Sequence, residues 1–106
     1  MAHEIIGRFY FKQTSNGNLI GEFSNNKSEP STESSDIRGS SDGYIGVYYT
    51  TWQENGKPHF ADLSISRKHE NSKRFSLIWK NSKGETIFKG EGMLCDNILI
   101  GDYHNT

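Results

Sequence analysis

The sequence predicts an all-β fold: one small antiparallel up-and-down barrel of about seven to eight strands, spanning residues 1–106 as a single domain. Three observations carry that prediction. The first is a motif, Ile-Gly-x-aromatic, that occurs four times, at Ile6-Gly7-Arg8-Phe9, Ile20-Gly21-Glu22-Phe23, Ile45-Gly46-Val47-Tyr48 and Ile100-Gly101-Asp102-Tyr103. Residues two apart on an extended strand share a face, so each Gly and its aromatic point the same way. Bare backbone beside a large ring lets a sheet coil tightly. The intervening residue is charged in three of the copies, which marks the opposite face as wet. The second observation is composition: six Phe, five Tyr and two Trp build a core of rings, and the scarcity of Leu and Ala argues against a helical bundle. The third is punctuation, with turn signals at short intervals and period-two alternation between them.

Each element follows from that alternation. The first strand, about Ile5 to Lys12, sets Gly7, Phe9 and Phe11 on one face. Ser15-Asn16-Gly17-Asn18 supplies an Asn-Gly hairpin turn, and the second strand, Leu19 to Ser24, points Leu19, Gly21 and Phe23 inward. Residues from Asn25 to Asp42 are rich in Ser and include Pro30 and Gly39, so they read as a flexible loop that serves as a lid, or else as a short edge strand near Asp36 to Arg38. The third strand, Gly43 to Trp52, places Tyr44, Gly46, Tyr48 and Trp52 on one face and Ile45, Val47 and Tyr49 on the other. With both faces apolar, it is expected to be covered twice or to meet another subunit. A second Asn-Gly turn at Asn55-Gly56 leads to a fourth strand, His59 to Arg67, with Ala61, Leu63 and Ile65 in phase. The fifth, Arg74 to Lys80, sends Phe75, Leu77 and Trp79 inward; the sixth, Glu85 to Leu94, carries Thr86, Phe88, Gly90 and Gly92 on one face. After a tight turn at Cys95-Asp96-Asn97, the seventh, Ile98 to Tyr103, aligns Leu99, Gly101 and Tyr103. Closing such a meander removes its exposed edges.

Charge and composition exclude several classes. The net charge is −1, with basic and acidic residues interspersed, so no basic stripe for nucleic acid forms. One cysteine, Cys95, excludes an intrachain disulfide. No apolar run reaches membrane-spanning length and Met-Ala-His-Glu does not begin a secretory signal, from which a cytoplasmic protein is expected. The four histidines, His3, His59, His69 and His104, lack partners at metal-ligand spacing, so no metal site is expected. There is no nucleophile elbow, phosphate-cradling Gly loop or Cys paired with a nearby His, so a non-catalytic role without a cofactor is expected, with a barrel enzyme whose catalytic pair comes from distant strands as the lesser alternative.

The inward rings Tyr48, Trp52, Trp79, Phe88 and Tyr103 either line a cup for a flat or apolar ligand or meet and fill the barrel. The cup requires a cavity of a few hundred cubic ångströms on the usual scale of such sites. The filled barrel makes the outer face of the third strand, Ile45, Val47 and Tyr49, a partner or homo-oligomer surface.

Two stretches resemble the avidin and streptavidin group within the calycin set of lipocalin-like barrels. They are Gly17-Asn18-Leu19-Ile20-Gly21-Glu22-Phe23 and the hairpin Phe75-x-x-x-Trp79-Lys80-x-Ser82-x-x-x-Thr86-x-Phe88-x-Gly90. The resemblance implies that Trp79 and Phe88 wall a pocket and that Thr86 hydrogen-bonds its ligand. It covers about a fifth of the chain, and the Asn-x-x-x-Ser pair that reads biotin in that family has no counterpart here. The expectation is therefore a calycin-like barrel binding a small, partly apolar ligand through Tyr48, Trp52, Trp79, Thr86, Phe88 and Tyr103.

Overall fold

The computed structural model describes residues 4–106; His3 and the reading of the chain start lie outside the described residues. Eight strands follow one another: β1 (Ile6–Gln13), β2 (Leu19–Asn25), β3 (Ser28–Asp42), β4 (Ile45–Glu54), β5 (Lys57–Arg67), β6 (Arg74–Lys80), β7 (Thr86–Cys95) and β8 (Ile98–Asn105). Every strand pairs antiparallel with its sequence neighbours, and β1 pairs with β8, which closes the barrel. Among the described residues no helix is long and apolar enough to cross a membrane.

The alternation read from the sequence holds in seven of the strands. Phe9 and Phe11, Leu19 and Phe23, Tyr48 and Trp52, Leu63 and Ile65, Leu77 and Trp79, and Leu99 and Tyr103 all point into one continuous core. Two of the turns have the backbone that two-residue hairpins require: Asn55-Gly56 and Asp96-Asn97 each place both residues at positive φ, at 52° and 75° and at 53° and 65°. The glycine motif acts across strands. A Cβ on Gly7 would lie 2.5 Å from the Tyr103 ring on β8, and one on Gly21 would lie 2.9 Å from the Phe11 ring on β1. Gly7 and Gly21 thus receive a ring from the neighbouring strand rather than the ring two residues along their own.

The Ser-rich segment is a correction. Residues 28–42 form β3, the longest strand, which pairs with β2 from Leu19↔Ser35 to Asn25↔Ser28 and with β4 from Glu33↔Trp52 to Asp42↔Ile45. It is a wall of the barrel and cannot act as a lid. Its alternation is of small polar side chains, with Ser31, Glu33, Ser35 and Ile37 turned inward, so hydropathy gave it no period. Pro30 is tolerated because the β4 pairing begins only at Glu33, which leaves the start of β3 with one paired side.

The two ends of the barrel differ. One is plugged by Tyr44, whose hydroxyl lies 2.7 Å from the Asn97 carbonyl and 2.9 Å from that of Phe11 and accepts the Gln13 N–H at 3.1 Å. Tyr48 packs beneath it and donates to the Tyr44 carbonyl at 2.8 Å; burial pushes the Tyr48 hydroxyl pKa up to about 12. The other end, where β4, β6 and β8 finish and β1 and β7 begin, is left open, and the rings gather there.

Candidate functional site

At the open end all the strands but β5 contribute an inward residue. Phe9 meets Trp79 edge-on at 5.9 Å between ring centroids, Phe88 meets Tyr103 edge-on at 5.6 Å, and Trp52 meets Phe88 edge-on at 6.4 Å. Phe23 completes the ring wall against Tyr103 at 6.3 Å. Edge-on packing of this kind is the favoured arrangement of aromatic quadrupoles, and it holds the rings as a cup. Outside the wall, the exposed His59 stacks on Trp52 at 5.7 Å and braces the rim.

Within the cup stands a residue the sequence reading passed over. Glu33 is 5% exposed, in the middle of β3. Thr50 Oγ1 donates to its Oε2 at 2.6 Å and Trp79 Nε1 donates to the same oxygen at 2.9 Å. Ser35 Oγ lies 2.7 Å from Thr50 Oγ1. A hydroxyl has one proton, so with Thr50 donating to the carboxylate, Ser35 donates to Thr50 and a short relay runs along the β3–β4 pair. No donor among the described residues serves Oε1, yet no fully buried side-chain oxygen lacks a partner. Oε1 therefore opens onto the cavity that Glu33 helps to line.

Burial raises the Glu33 pKa to about 7, and the Thr50 and Trp79 donors pull in the opposite direction. Desolvation outweighs two hydrogen bonds because a carboxylate loses several kcal/mol of hydration on leaving water. The Tyr103 hydroxyl, which accepts from Asn25 Nδ2 at 2.9 Å, is also pushed up, first by burial and further by Glu33 and Glu54. Glu54 stands on the rim, with its Oε1 accepting from Trp52 Nε1 at 3.3 Å. Among the described residues the cavity wall thus carries two carboxylates, six rings and no basic side chain.

The space between these groups is small. About 20 Å³ is open to the centre of a water-sized sphere, and a single water needs roughly 10–15 Å³ on that measure. Among the described residues the expected cavity of a few hundred cubic ångströms is absent: the rings meet and fill most of the barrel, leaving a slot for one water-sized group above Glu33.

Four of the six residues expected to bind a ligand come together here: Trp52, Trp79, Phe88 and Tyr103. Two lie elsewhere. Tyr48 belongs to the plug, with its hydroxyl committed to Tyr44. Thr86, at the start of β7, lies outside the cup wall, and its carbonyl accepts from Thr106 Oγ1 at 2.5 Å. The three surface candidates lie on the outer face of β4, with Val47 and Tyr49 exposed and Ile45 half-buried. Tyr49 stacks on Phe60 of β5 at 6.0 Å, and the Arg38 guanidinium covers its ring at 5.3 Å. Among the described residues no three His, Cys, Asp or Glu side chains converge as metal ligands. No family model, curated protein or solved structure matches the chain.

Proposed function

We propose that this chain is a calycin-like binding barrel whose open mouth takes one end of a small, partly apolar ligand, with Glu33 as the polar anchor on its floor. The observation that carries the reading is Glu33 itself: a carboxyl held at the bottom of a cup of rings, with one oxygen saturated by Thr50 and Trp79 and the other turned to the cavity. A purely structural core gains nothing from a buried carboxyl at this point, because an apolar residue of similar volume would avoid the desolvation cost. An apolar recess with a few convergent polar groups is the usual form of a small-molecule site. The narrow slot limits what enters to a head group, with the rest of the ligand lying against Trp52 and Phe88 at the rim.

A thermal-shift panel of metabolites (biotin, haem, fatty acids, flavins and small amines), followed by Trp fluorescence, tests the reading. A ligand at a hundredfold its Kd adds about 2.7 kcal/mol, which raises Tm by several degrees. Trp52→Ala at the rim and Trp79→Ala at the floor should both remove that rise. Stabilisation that persists in both variants would place the ligand elsewhere.

A second reading, a partner or homo-oligomer surface, draws on Val47, Tyr49 and Phe60, which leave an apolar strip exposed on the outside of β4 and β5. Under it Val47→Lys elutes later than the native chain in size-exclusion chromatography; an unchanged elution volume would sink it.

A further inference from the structure

Building on the open mouth as a binding site, we propose that the group it receives is a primary ammonium carried on an apolar stem. Three features select that chemistry. The first is charge. Glu33 is nine-tenths buried with Oε1 directed into the slot, Glu54 stands at the rim, and among the described residues no Lys, Arg or His lines the space between them. A neutral donor would leave the Glu33 carboxylate buried without a counter-charge, whereas a cation supplies both the charge and a charge-assisted hydrogen bond.

The second is the wall. The faces and edges of Trp52, Trp79, Phe88 and Tyr103 surround the slot, and aromatic faces attract a desolvated cation while remaining apolar toward a methylene stem. The third is size. Room for one water-sized group admits an –NH₃⁺ head without moving a ring. A guanidinium is a planar fork several atoms wide, and a trimethylammonium is wider still, so both require the cup to open. The acceptors suit an ammonium as well: Glu33 Oε1 is free to accept, and the Tyr103 oxygen, already accepting from Asn25, keeps a further lone pair.

The same head group comes from two sources, a free alkylamine or the lysine side chain of a protein. The probes are therefore n-butylammonium and Nα-acetyl-lysine amide, with n-butanol and n-butyltrimethylammonium as controls, titrated against Trp fluorescence at pH 8. There the amines are protonated and Glu33 is ionised, while Tyr103 stays neutral. At least one of the two amines is expected to bind saturably and at least about tenfold more tightly than either control. Tighter binding of the lysine derivative assigns the site to a protein lysine; tighter binding of butylammonium assigns it to a free amine. Glu33→Gln should erase the amine preference. It keeps a carbonyl oxygen for Thr50 and Trp79, so the cup stays assembled, and its native-like Trp emission verifies that. Equal binding of butanol and butylammonium, or an amine preference that survives Glu33→Gln, overturns the ammonium and leaves the mouth as a binding site. No response to either amine overturns it too, and the binding reading then stands or falls on the metabolite panel alone.

Discussion

Glu33→Gln is expected to melt well above the native chain at pH 8 and at nearly the same temperature at pH 4. The sign follows from where the proton sits. The Glu33 carboxyl titrates at about 7 in the folded chain against 4.5 for the free side chain, because burial penalises its charged form. Below pH 4.5 it is neutral in both folded and unfolded chains and costs little. Between the two values the unfolded chain gives up its proton first, so native stability falls as pH rises; above about 7 the full cost is in place. Two to three pH units at ~1.4 kcal/mol each make about 3 kcal/mol, equivalent to about 10 °C or more in a domain of this size. Gln resembles the protonated acid, accepts from Thr50 and Trp79 on its carbonyl oxygen, and never pays that cost. Glu91 works in the opposite direction, since its hydrogen bond to Lys68 holds it below the usual carboxylate range. It is common to both chains, so the difference between their melting curves isolates Glu33. Parallel Tm-against-pH curves would show that position 33 carries no buried charge. The same experiment bears on function, because a group that destabilises the empty barrel at neutral pH is one that a bound cation would repay.

The architecture was legible because it is written in side-chain size and period. The four glycine motifs, the Asn-Gly turn at Asn55-Gly56 and the inward Leu and Phe positions all report the pleat directly, and all fell where the alternation put them. Strand β3 was not legible, since Ser31, Glu33 and Ser35 face inward without hydropathic contrast to Thr32, Ser34 and Asp36. Two signals pointed to it. Ile37, the single large apolar residue of the segment, is in phase with Ser35 and Glu33 on the inner face. Parity is the other: an antiparallel meander closes with antiparallel pairing only if its strand count is even, and seven strands would bring the first and last together in parallel. The candidate site divides on the same line. The ring wall could be read from the Trp and Phe positions of the hairpins, whereas its carboxylate lay in the one strand that lacked an apolar period. The width of the cup depended on how far opposing rings interdigitate, which is a property of register and not of local pattern.

Gly101→Ala is expected to cost about 4 kcal/mol or more, enough to leave a domain of ordinary stability near its unfolding midpoint. Gly101 sits at the closing seam, opposite Phe9 on β1 and opposite Gly92 on β7. A Cβ there would lie 1.9 Å from the Glu91 carbonyl oxygen and 2.8 Å from the Gly92 Cα. Those atoms are backbone in a hydrogen-bonded ladder, so the methyl is accommodated only by prising β7 from β8. Gly21→Ala meets the Tyr10 carbonyl oxygen at the same 1.9 Å and should behave alike. Gly46 belongs to the same sequence motif, but a Cβ there meets first the Ile37 Cδ1, at 3.0 Å, the far end of a flexible side chain. Its replacement should cost about 1 kcal/mol or less. Urea denaturation midpoints of the three variants separate the explanations. A steep cost at Gly101 and Gly21 with a shallow one at Gly46 ties the repeated glycine to the close strand approach that lets eight strands close on a core of rings. Equal costs at all three would mean that the motif serves strand curvature in general, and the seam would owe its closure to the ladder hydrogen bonds alone.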